Sequence, residues 1–289
     1  MKKLIVLSTM VLTFFFLARI GKAQTKLSFK ATGGYGNMSA GDLNTVINSL
    51  DSIIAIYFAT ENGVTKEGTL KEIDWGLDFE GEFIMNLTNN LGIGLGAGYI
   101  QRRKDSRTSI KNGASGTVNY DVEPKITAFP IKLSAYYFYP IVPQLHIFIN
   151  GGVGYYFGKS SWSLKTDYVE ENYWTKSVFE VKGNGIGFHG GIGFEYNVAK
   201  NIAFFAEGSG RYAKLKDWEG DMTVRDSEGD TSGKISGTFW YFESEIYGKD
   251  YPYVVLTEDK PTDPYFRNLR KFECDLSGLS FKAGIRVKF

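Results

Sequence analysis

The chain has 289 residues, of which 33 are Lys or Arg and 32 are Asp or Glu, so that the formal net charge is +1. This balance excludes a strongly basic nucleic-acid-binding protein and an acidic solvating tail as descriptions of the whole chain. The single cysteine, Cys274, excludes an internal disulfide and a CxxC metal site.

The first 23 residues have the pattern of a secretory signal peptide. Two lysines precede the apolar run 4–18, and Gly21-Lys22-Ala23 matches a small-x-small cleavage site. We therefore predict a cleaved signal peptide over residues 1–23 and one β-barrel domain over residues 24–289. No later segment has about 18 uninterrupted apolar residues, so a chain embedded in a membrane would have to span it as a closed barrel.

The rest of the sequence repeats a period-two alternation of apolar and polar or small residues, which is typical of β-strands. Three connections between the alternating segments are short turns, and four are long: 37–70, 104–122, 159–182 and 214–277. An even number of strands with short turns at one end and long loops at the other predicts an all-β, eight-stranded, antiparallel up-and-down transmembrane barrel with both mature termini in the periplasm. The eight segments cover about 26–36, 73–87, 91–99, 129–139, 146–157, 186–197, 202–211 and 281–289.

The alternative architecture is a soluble barrel with its apolar face inside, as in lipocalins. Asp78, Glu80 and Glu82 share one face of the second segment, and charges on a lipid-facing surface would cost a few kcal/mol each. We therefore expect the polar face to point into the lumen and the apolar face, with Ile73 and Trp75 at its start, to point into lipid.

At this point the chain resembles the small OmpA/OmpX-type eight-stranded outer-membrane barrels, over essentially its whole mature length. The last segment carries the most specific similarity, since Phe281 begins an alternating run that finishes at Phe289. The resemblance implies a location in the bacterial outer membrane, with outer-membrane lipid as a partner. It also implies that this terminal strand is the assembly signal read by the barrel-assembly machinery. The sequence stops at the eighth strand, so we expect no periplasmic cell-wall-binding domain.

Charged residues of both signs fall on the predicted lumen face. Charges in a low-dielectric wall must pair, which predicts a salt-bridge network that fills the barrel. A charge-lined conduit is the alternative, although an eight-stranded barrel has room only for side chains or one small ligand. The predicted lumen network comprises Lys30, Asp78, Glu80, Glu82, Lys132, Glu195, Glu207, Arg211, Lys282 and Arg286.

The two histidines, His146 and His189, have no serine at strand spacing on their own faces, so we predict no catalytic residues and no enzymatic activity. We also predict no cofactor, no metal and no nucleic-acid partner. Residues 42–54 have helical apolar spacing and predict a short amphipathic helix over the barrel mouth or on the membrane surface.

The final long loop is rich in aromatic residues, which either mark a binding surface or pack the loops together. Our first hypothesis is a non-enzymatic anchor whose surface loops bind an extracellular ligand or host factor or mediate adhesion. The alternative is a narrow, porin-like conduit for small or apolar solutes. The surface-loop binding candidates are Trp218, Phe239, Trp240, Tyr241, Phe242, Tyr247, Tyr251 and Tyr253.

Overall fold

The structure is a computed structural model that describes residues 26–59, 63–112, 116–229 and 231–289. The predicted signal peptide lies outside these residues. The chain forms one helix and fifteen strands in this part. They are β1 (Lys26–Gly36), α1 (Asp42–Ala59), β2 (Val64–Gly68), β3 (Gly76–Asn86), β4 (Leu91–Arg103), β5 (Ser106–Asn112), β6 (Gly116–Val122), β7 (Lys125–Val142), β8 (Leu145–Tyr168), β9 (Tyr173–Ala199), β10 (Ile202–Asp226), β11 (Thr231–Ile246), β12 (Lys249–Thr257), β13 (Arg267–Lys271), β14 (Cys274–Asp275) and β15 (Gly278–Lys288).

Eight strands close into an antiparallel ring in the order β1-β3-β4-β7-β8-β9-β10-β15, with β15 pairing back onto β1. The predicted eight-stranded barrel is thus confirmed, and each predicted segment contributes one of its strands. Turns of three residues or fewer join β8 to β7 and β10 to β9 at the end that holds Lys26.

The outer surface of the ring is apolar, as predicted. Phe79, Ile149, Phe188 and Phe281 are each about half exposed or more, which is the arrangement of a barrel that faces lipid. On β8 the outward apolar run lasts from Ile147 to Phe157. Ten strand rises, tilted by about 40°, give a band about 25 Å tall, which matches the hydrocarbon region of an outer membrane.

Three barrel strands continue past this band and build a second layer outside the membrane. β8, β9 and β10 have 24, 27 and 25 residues, which is more than twice the length that spans a bilayer. Above the band they form part of a sheet in the order β2-β5-β6-β8-β9-β10-β11-β12. Helix α1 contacts both β2 and β12, the terminal strands of that sheet. We call this outer layer the headpiece.

The headpiece has its own hydrophobic core. Its fully buried side chains include Ile47 of α1, Val181 of β9, Trp218 of β10 and Phe272 after β13. Ile73 belongs to this core and is fully buried, so the prediction that it faces lipid is wrong. The reason is that β3 begins only at Gly76, and the chain before it crosses beneath α1.

The predicted helix at 42–54 is confirmed and extends to Ala59. Its apolar face, with Leu43, Val46 and Ile54, packs into the headpiece core. Among the described residues, no helix combines the length and the apolar character that crossing a bilayer requires.

The long connections are more ordered than the sequence predicted. Residues 106–112 and 116–122 pair as β5 and β6, and 159–182 are the outer halves of β8 and β9. In the final long connection, β10 extends to Asp226 and β11 pairs with its outer part. The eighth barrel strand does not extend outward, however, because β15 begins at Gly278 and β11 takes its place beside β10.

Candidate functional site

The structure places all ten predicted lumen charges inside the barrel and brings them together. Lys30 Nζ lies 2.6 Å from Glu207 Oε2, and Arg286 Nη1 lies 3.1 Å from Glu195 Oε2. Asn150 donates a second hydrogen bond to Glu207 at 2.8 Å. These carboxylates are almost fully buried, so each needs a cation and hydrogen-bond donors to remain charged.

The centre of the lumen is a charge cluster formed by Glu80, Glu82, Lys132 and Lys282, next to Tyr136 and Lys30. Glu80 accepts hydrogen bonds from both Lys132 and Lys282, the second at 3.2 Å. Glu82 accepts the phenol hydrogen of Tyr136, whose oxygen in turn accepts one from Lys30 at 3.3 Å.

Glycine makes space for this cluster. A Cβ added at Gly94 would lie 2.2 Å from Glu82 Oε1, so the inward glycines of β4 let a carboxylate occupy the adjacent position.

Nearer the headpiece, Asp78 pairs with two arginines. Arg102 Nη1 lies 2.9 Å and Arg211 Nη1 3.7 Å from its carboxylate, and Ser280 donates a hydrogen bond to it. Sequence analysis missed Arg102, which is fully buried. It continues the even-numbered lumen face of Gly94, Gly96, Gly98 and Ile100, so counting the alternation two residues further would have found it.

Towards the end of the barrel that holds Lys26, an aromatic layer closes the lumen. The ring centroids of Phe138 and Phe148 are 6.1 Å apart, and those of Phe148 and Phe205 are 6.0 Å apart. The guanidinium of Arg286 lies 4.4 Å from the ring of Phe138, in a cation–π contact. Sequence analysis missed this layer, although Phe148 lies two residues before Asn150 and therefore points to the same side of β8 as that lumen residue.

The cavities between these layers are small or open at one end only. A central cavity of about 30 Å³ is lined by Glu80, Lys132, His189, Glu207 and Arg211. That volume suits about two water molecules. A wider vestibule of about 590 Å³ lies between the aromatic layer and the short turns, lined by charged residues that include Glu195 and Lys288.

A serine and a histidine meet in the central cavity. Ser134 Oγ lies 3.0 Å from His189 Nε2, because the two residues flank Gly152 of β8 from β7 and β9, and a glycine leaves the gap open. Sequence analysis missed this contact because it compared positions along one strand only. No hydrogen-bond partner reaches His189 Nδ1 within the described ranges, so this pair has no acidic residue to orient it.

Trp218 closes the headpiece side of the barrel. A β-bulge between Lys216 and Glu219, with Asp217 at a positive φ of 50°, turns its indole into the interior. The ring fits against two glycines: a Cβ added at Gly183 would lie 2.5 Å from it, and one at Gly158 would lie 2.9 Å from it. Trp218 Nε1 donates to the carbonyl of Leu215 at 3.0 Å.

The expectation that the aromatic residues of the final loop form an exposed surface is wrong for most of them. Most of these aromatic side chains are buried because they form the headpiece core or pack against it. Of the predicted binding candidates, Tyr247 is 74% exposed and Trp240 and Tyr253 are half-buried. The five buried candidates are Trp218, Phe239, Tyr241, Phe242 and Tyr251.

A polar clamp fastens α1 to the end of this loop. Asp42, at the first turn of the helix, accepts two hydrogen bonds of 2.6 Å from Arg270 and one of 2.8 Å from the backbone of Glu273. The hydrogen bonds from Asp42 raise the pKa of Arg270. Arg270 also lies 4.1 Å from the ring of Tyr241. Burial, together with a hydrogen bond to Glu243, raises the pKa of Tyr241 to about 12.

Two further features bear on chemistry in the headpiece. Cys274 is fully buried beside the clamp, and burial raises the pKa of its thiol far above the ordinary value, so it is a poor nucleophile. Across the residues that the structure covers, no three His, Cys, Asp or Glu side chains have the arrangement of a metal site.

Known structures show similar architecture at low identity. The outer membrane protein OprG from Pseudomonas aeruginosa is 12% identical, with a TM-score of 0.42 over 92% of this chain and 97% of that one. A major outer membrane protein from Thermus thermophilus is 14% identical, with a TM-score of 0.42 over 92% and 100%. The attachment invasion locus protein Ail of Yersinia pestis is 10% identical, with a TM-score of 0.31 over 91% and 98%.

Curated protein sequences include no significant match to this chain. The family model described as "Outer membrane protein beta-barrel domain" matches residues 7–240, which is most of the chain. Together with the lipid-facing ring of eight strands, this match places the protein in the bacterial outer membrane. The chain belongs to the outer membrane protein β-barrel domain family.

Proposed function

We propose that the protein is a non-enzymatic membrane anchor for a rigid headpiece that makes binding contacts outside the cell. The observation that carries this proposal is that the barrel interior is closed at three successive levels. The aromatic layer around Phe148, the charge cluster around Glu80 and the indole of Trp218 follow one another along its axis.

A conduit would need a continuous polar path, and the described lumen supports none. The cavity that lies between the aromatic layer and Trp218 has a volume of about 30 Å³. The cations and carboxylates along the wall neutralise each other in pairs, which leaves few charges to attract an ion. Charge pairs of this kind fix the wall of the barrel rather than present a binding surface.

The headpiece supports a binding role by its construction. Its strands continue those of the barrel without a hinge, so its surface is held rigidly relative to the membrane. A preorganised surface loses little conformational entropy on binding. Tyr247 and Tyr265 are 74% and 77% exposed, and tyrosine supplies large contact area with few rotatable bonds.

Planar-bilayer recording of the refolded full chain tests the anchor. We expect no discrete conductance from the wild-type protein. Steady, single-channel steps that disappear when Lys132 and Glu80 are both neutralised would instead establish a conduit through the charge cluster.

Attachment of bacteria that produce the protein tests the headpiece. We expect Tyr247→Ser combined with Tyr265→Ser to reduce attachment to surfaces coated with extracellular matrix protein, at equal amounts of heat-modifiable, folded barrel. The paired lumen change Lys30→Met and Glu207→Gln is the control and should leave attachment unchanged. The reverse result, with attachment lost only in the lumen variant, would contradict the proposal.

A further inference from the structure

Three lysines cluster on the outer surface where the lipid-facing band ends. Lys125, Lys159 and Lys182 lie on the adjacent strands β7, β8 and β9, and we call them the lysine cluster. Lys159 and Lys182 are directly opposite each other in the strand register. Lys125 lies diagonally from Lys159, since Lys125 pairs with Ser161 and Lys159 with Thr127.

Like charges directly opposite each other on two strands repel, so a nearby anion would stabilise the lysine cluster. The protein supplies only part of it. Glu180 lies 3.6 Å from Lys159, whereas Lys125 and Lys182 have no ion pair within 4.0 Å among the described residues. Glu219 is opposite Lys182 in the register but does not come within that distance.

The cluster lies at a defined height. Phe157, which is 43% exposed, is the last outward apolar residue of β8, and Lys159 is the next outward position on the same strand. Below Lys125 and Lys182 the outward surface is again apolar, with Phe129 at 54% and Ile186 at 69% exposure. The lysines therefore lie at the level of lipid headgroups, above a surface that acyl chains cover.

The two sides of the barrel differ in charge at this height. Arg103 of β4 lies opposite Lys125 in the register, and Asp105 pairs with it at 2.8 Å. On the other side, beside β3, the exposed charged residues at this end are Lys71, Glu72 and Asp74. The lysine cluster, partly offset by Glu180 and Glu219, therefore makes the β7–β9 side the more positive of the two.

We propose that the lysine cluster binds the phosphate group of an outer-leaflet lipid, whose acyl chains lie on Phe129, Phe157 and Ile186. Ammonium groups act as point charges towards phosphate, so three of them on one flat surface can surround one phosphate without bidentate geometry. The complementary pairing of phosphate with lysines and of acyl chains with the apolar band below favours a lipid over a soluble anion.

The test compares two lipids that differ only in phosphate. Dansyl-labelled phosphatidic acid and dansyl-labelled diacylglycerol with the same acyl chains are titrated into the refolded full chain in detergent micelles, with energy transfer from the protein's tryptophans as the readout. We expect saturable binding of phosphatidic acid that weakens with salt, and no saturable binding of diacylglycerol. Each lysine close to an anionic group contributes about fivefold to affinity, so Lys125→Gln, Lys159→Gln and Lys182→Gln together should weaken binding about 100-fold.

Matched variants complete the experiment. Changing Lys111, Lys249 and Lys260 to Gln removes three exposed headpiece lysines elsewhere and should leave affinity unchanged. Replacing the lysine cluster by three arginines should retain it, which shows that charge and not packing matters. Equal binding of both lipids, an unchanged affinity in the triple glutamine variant, or full displacement by excess inorganic phosphate would overturn the proposal. If the triple variant fails to fold, Lys182→Gln alone should weaken binding about fivefold.

Discussion

At the scale of single residues, close packing between glycine and a large side chain closes the barrel. Trp218 fits between Gly158 and Gly183, where a Cβ at either position would collide with the indole. The bulge at Asp217 is what turns the indole inward, because it shifts the register of β10 by the residues between Lys216 and Glu219. Small residues on one strand and one large residue on the next thus replace a continuous layer of medium-sized side chains.

We expect Trp218→Ala to lower the stability of the headpiece by about 3–5 kcal/mol, since it removes a fully buried indole and leaves a cavity that glycine neighbours cannot fill. Hydrogen exchange at the headpiece amides of β9 (173–182) and β10 (214–226) measures the loss. The control is Tyr265→Ala, which truncates a side chain that is 77% exposed and should change exchange little. Equal protection in both variants would show that the indole is not needed to close the barrel.

We expect Tyr241 to determine how the stability of the headpiece changes at alkaline pH. Its pKa is raised to about 12, mainly by burial, so the folded state favours the neutral phenol. The stabilisation is therefore complete below the ordinary tyrosine pKa of 10.0 and is lost as the pH rises through 12. Thermal unfolding at a series of pH values should show a decline between these limits. Tyr241→Phe should flatten that decline, and an identical slope in the variant would assign it to other groups.

At the scale of secondary structure, the eight transmembrane strands could be predicted because their alternation is regular. Their outer extensions could not be predicted, because the alternation inverts at the membrane surface. On β9, Phe188 and Ile186 face outward below that level, whereas Val181 and Phe179 face inward above it. Within the membrane the apolar face of a strand points outward to lipid, whereas in the headpiece it points inward, away from water. A search for one continuous apolar face per strand therefore fails at the membrane surface.

The same reasoning explains the errors in the candidate site. The lumen charges were predictable because charge is incompatible with lipid on the opposite face. Phe148 and Phe205 were missed because an aromatic residue is compatible with either face, and only its parity distinguishes the two. The contact between Ser134 and His189 depends on the register of three strands, which no single segment of the sequence contains.

The clamp on α1 offers a prediction at this scale. Asp42→Ala would leave Arg270 and the backbone amide of Glu273 without their acceptor, so we expect the helix to loosen by about 2–3 kcal/mol. Hydrogen exchange at the amides of α1 is the measurement. Asp105→Ala is the control, because its partner Arg103 is more than half exposed and an exposed pair of this kind contributes less than about 1 kcal/mol. If both variants lose a comparable amount of hydrogen-exchange protection in α1, the hydrogen bonds of Asp42 do not specifically stabilise the helix.

At the scale of the whole molecule, one set of strands serves two solvents. The barrel satisfies its backbone by closing on itself and its lumen by pairing charges. The headpiece uses the same strands to enclose an apolar core. The core is continuous with the outer end of the barrel, because Ile100, Ile126 and Leu215 from barrel strands belong to it. A deletion within the final loop, such as residues 237–253, would therefore remove most of β11, part of β12 and part of this core, so substitutions of exposed residues are the better test of the headpiece.

The charge cluster provides the prediction that separates anchor from conduit. In an anchor the carboxylate of Glu80 holds two buried ammonium groups, so Glu80→Gln leaves Lys132 and Lys282 buried without a counter-charge. Removing one partner of a buried pair costs about 3–5 kcal/mol, and we expect the unfolding temperature of the barrel to fall accordingly. Neutralising all three residues at once, as Glu80→Gln with Lys132→Met and Lys282→Met, should recover most of the loss, because no buried charge remains unpaired. In a water-filled conduit these groups would be solvated, so the single change would alter conductance and leave stability nearly unchanged. Thermal unfolding of the single and triple variants, read by heat-modifiability on a gel, decides between them: a wild-type midpoint for Glu80→Gln would contradict the closed barrel.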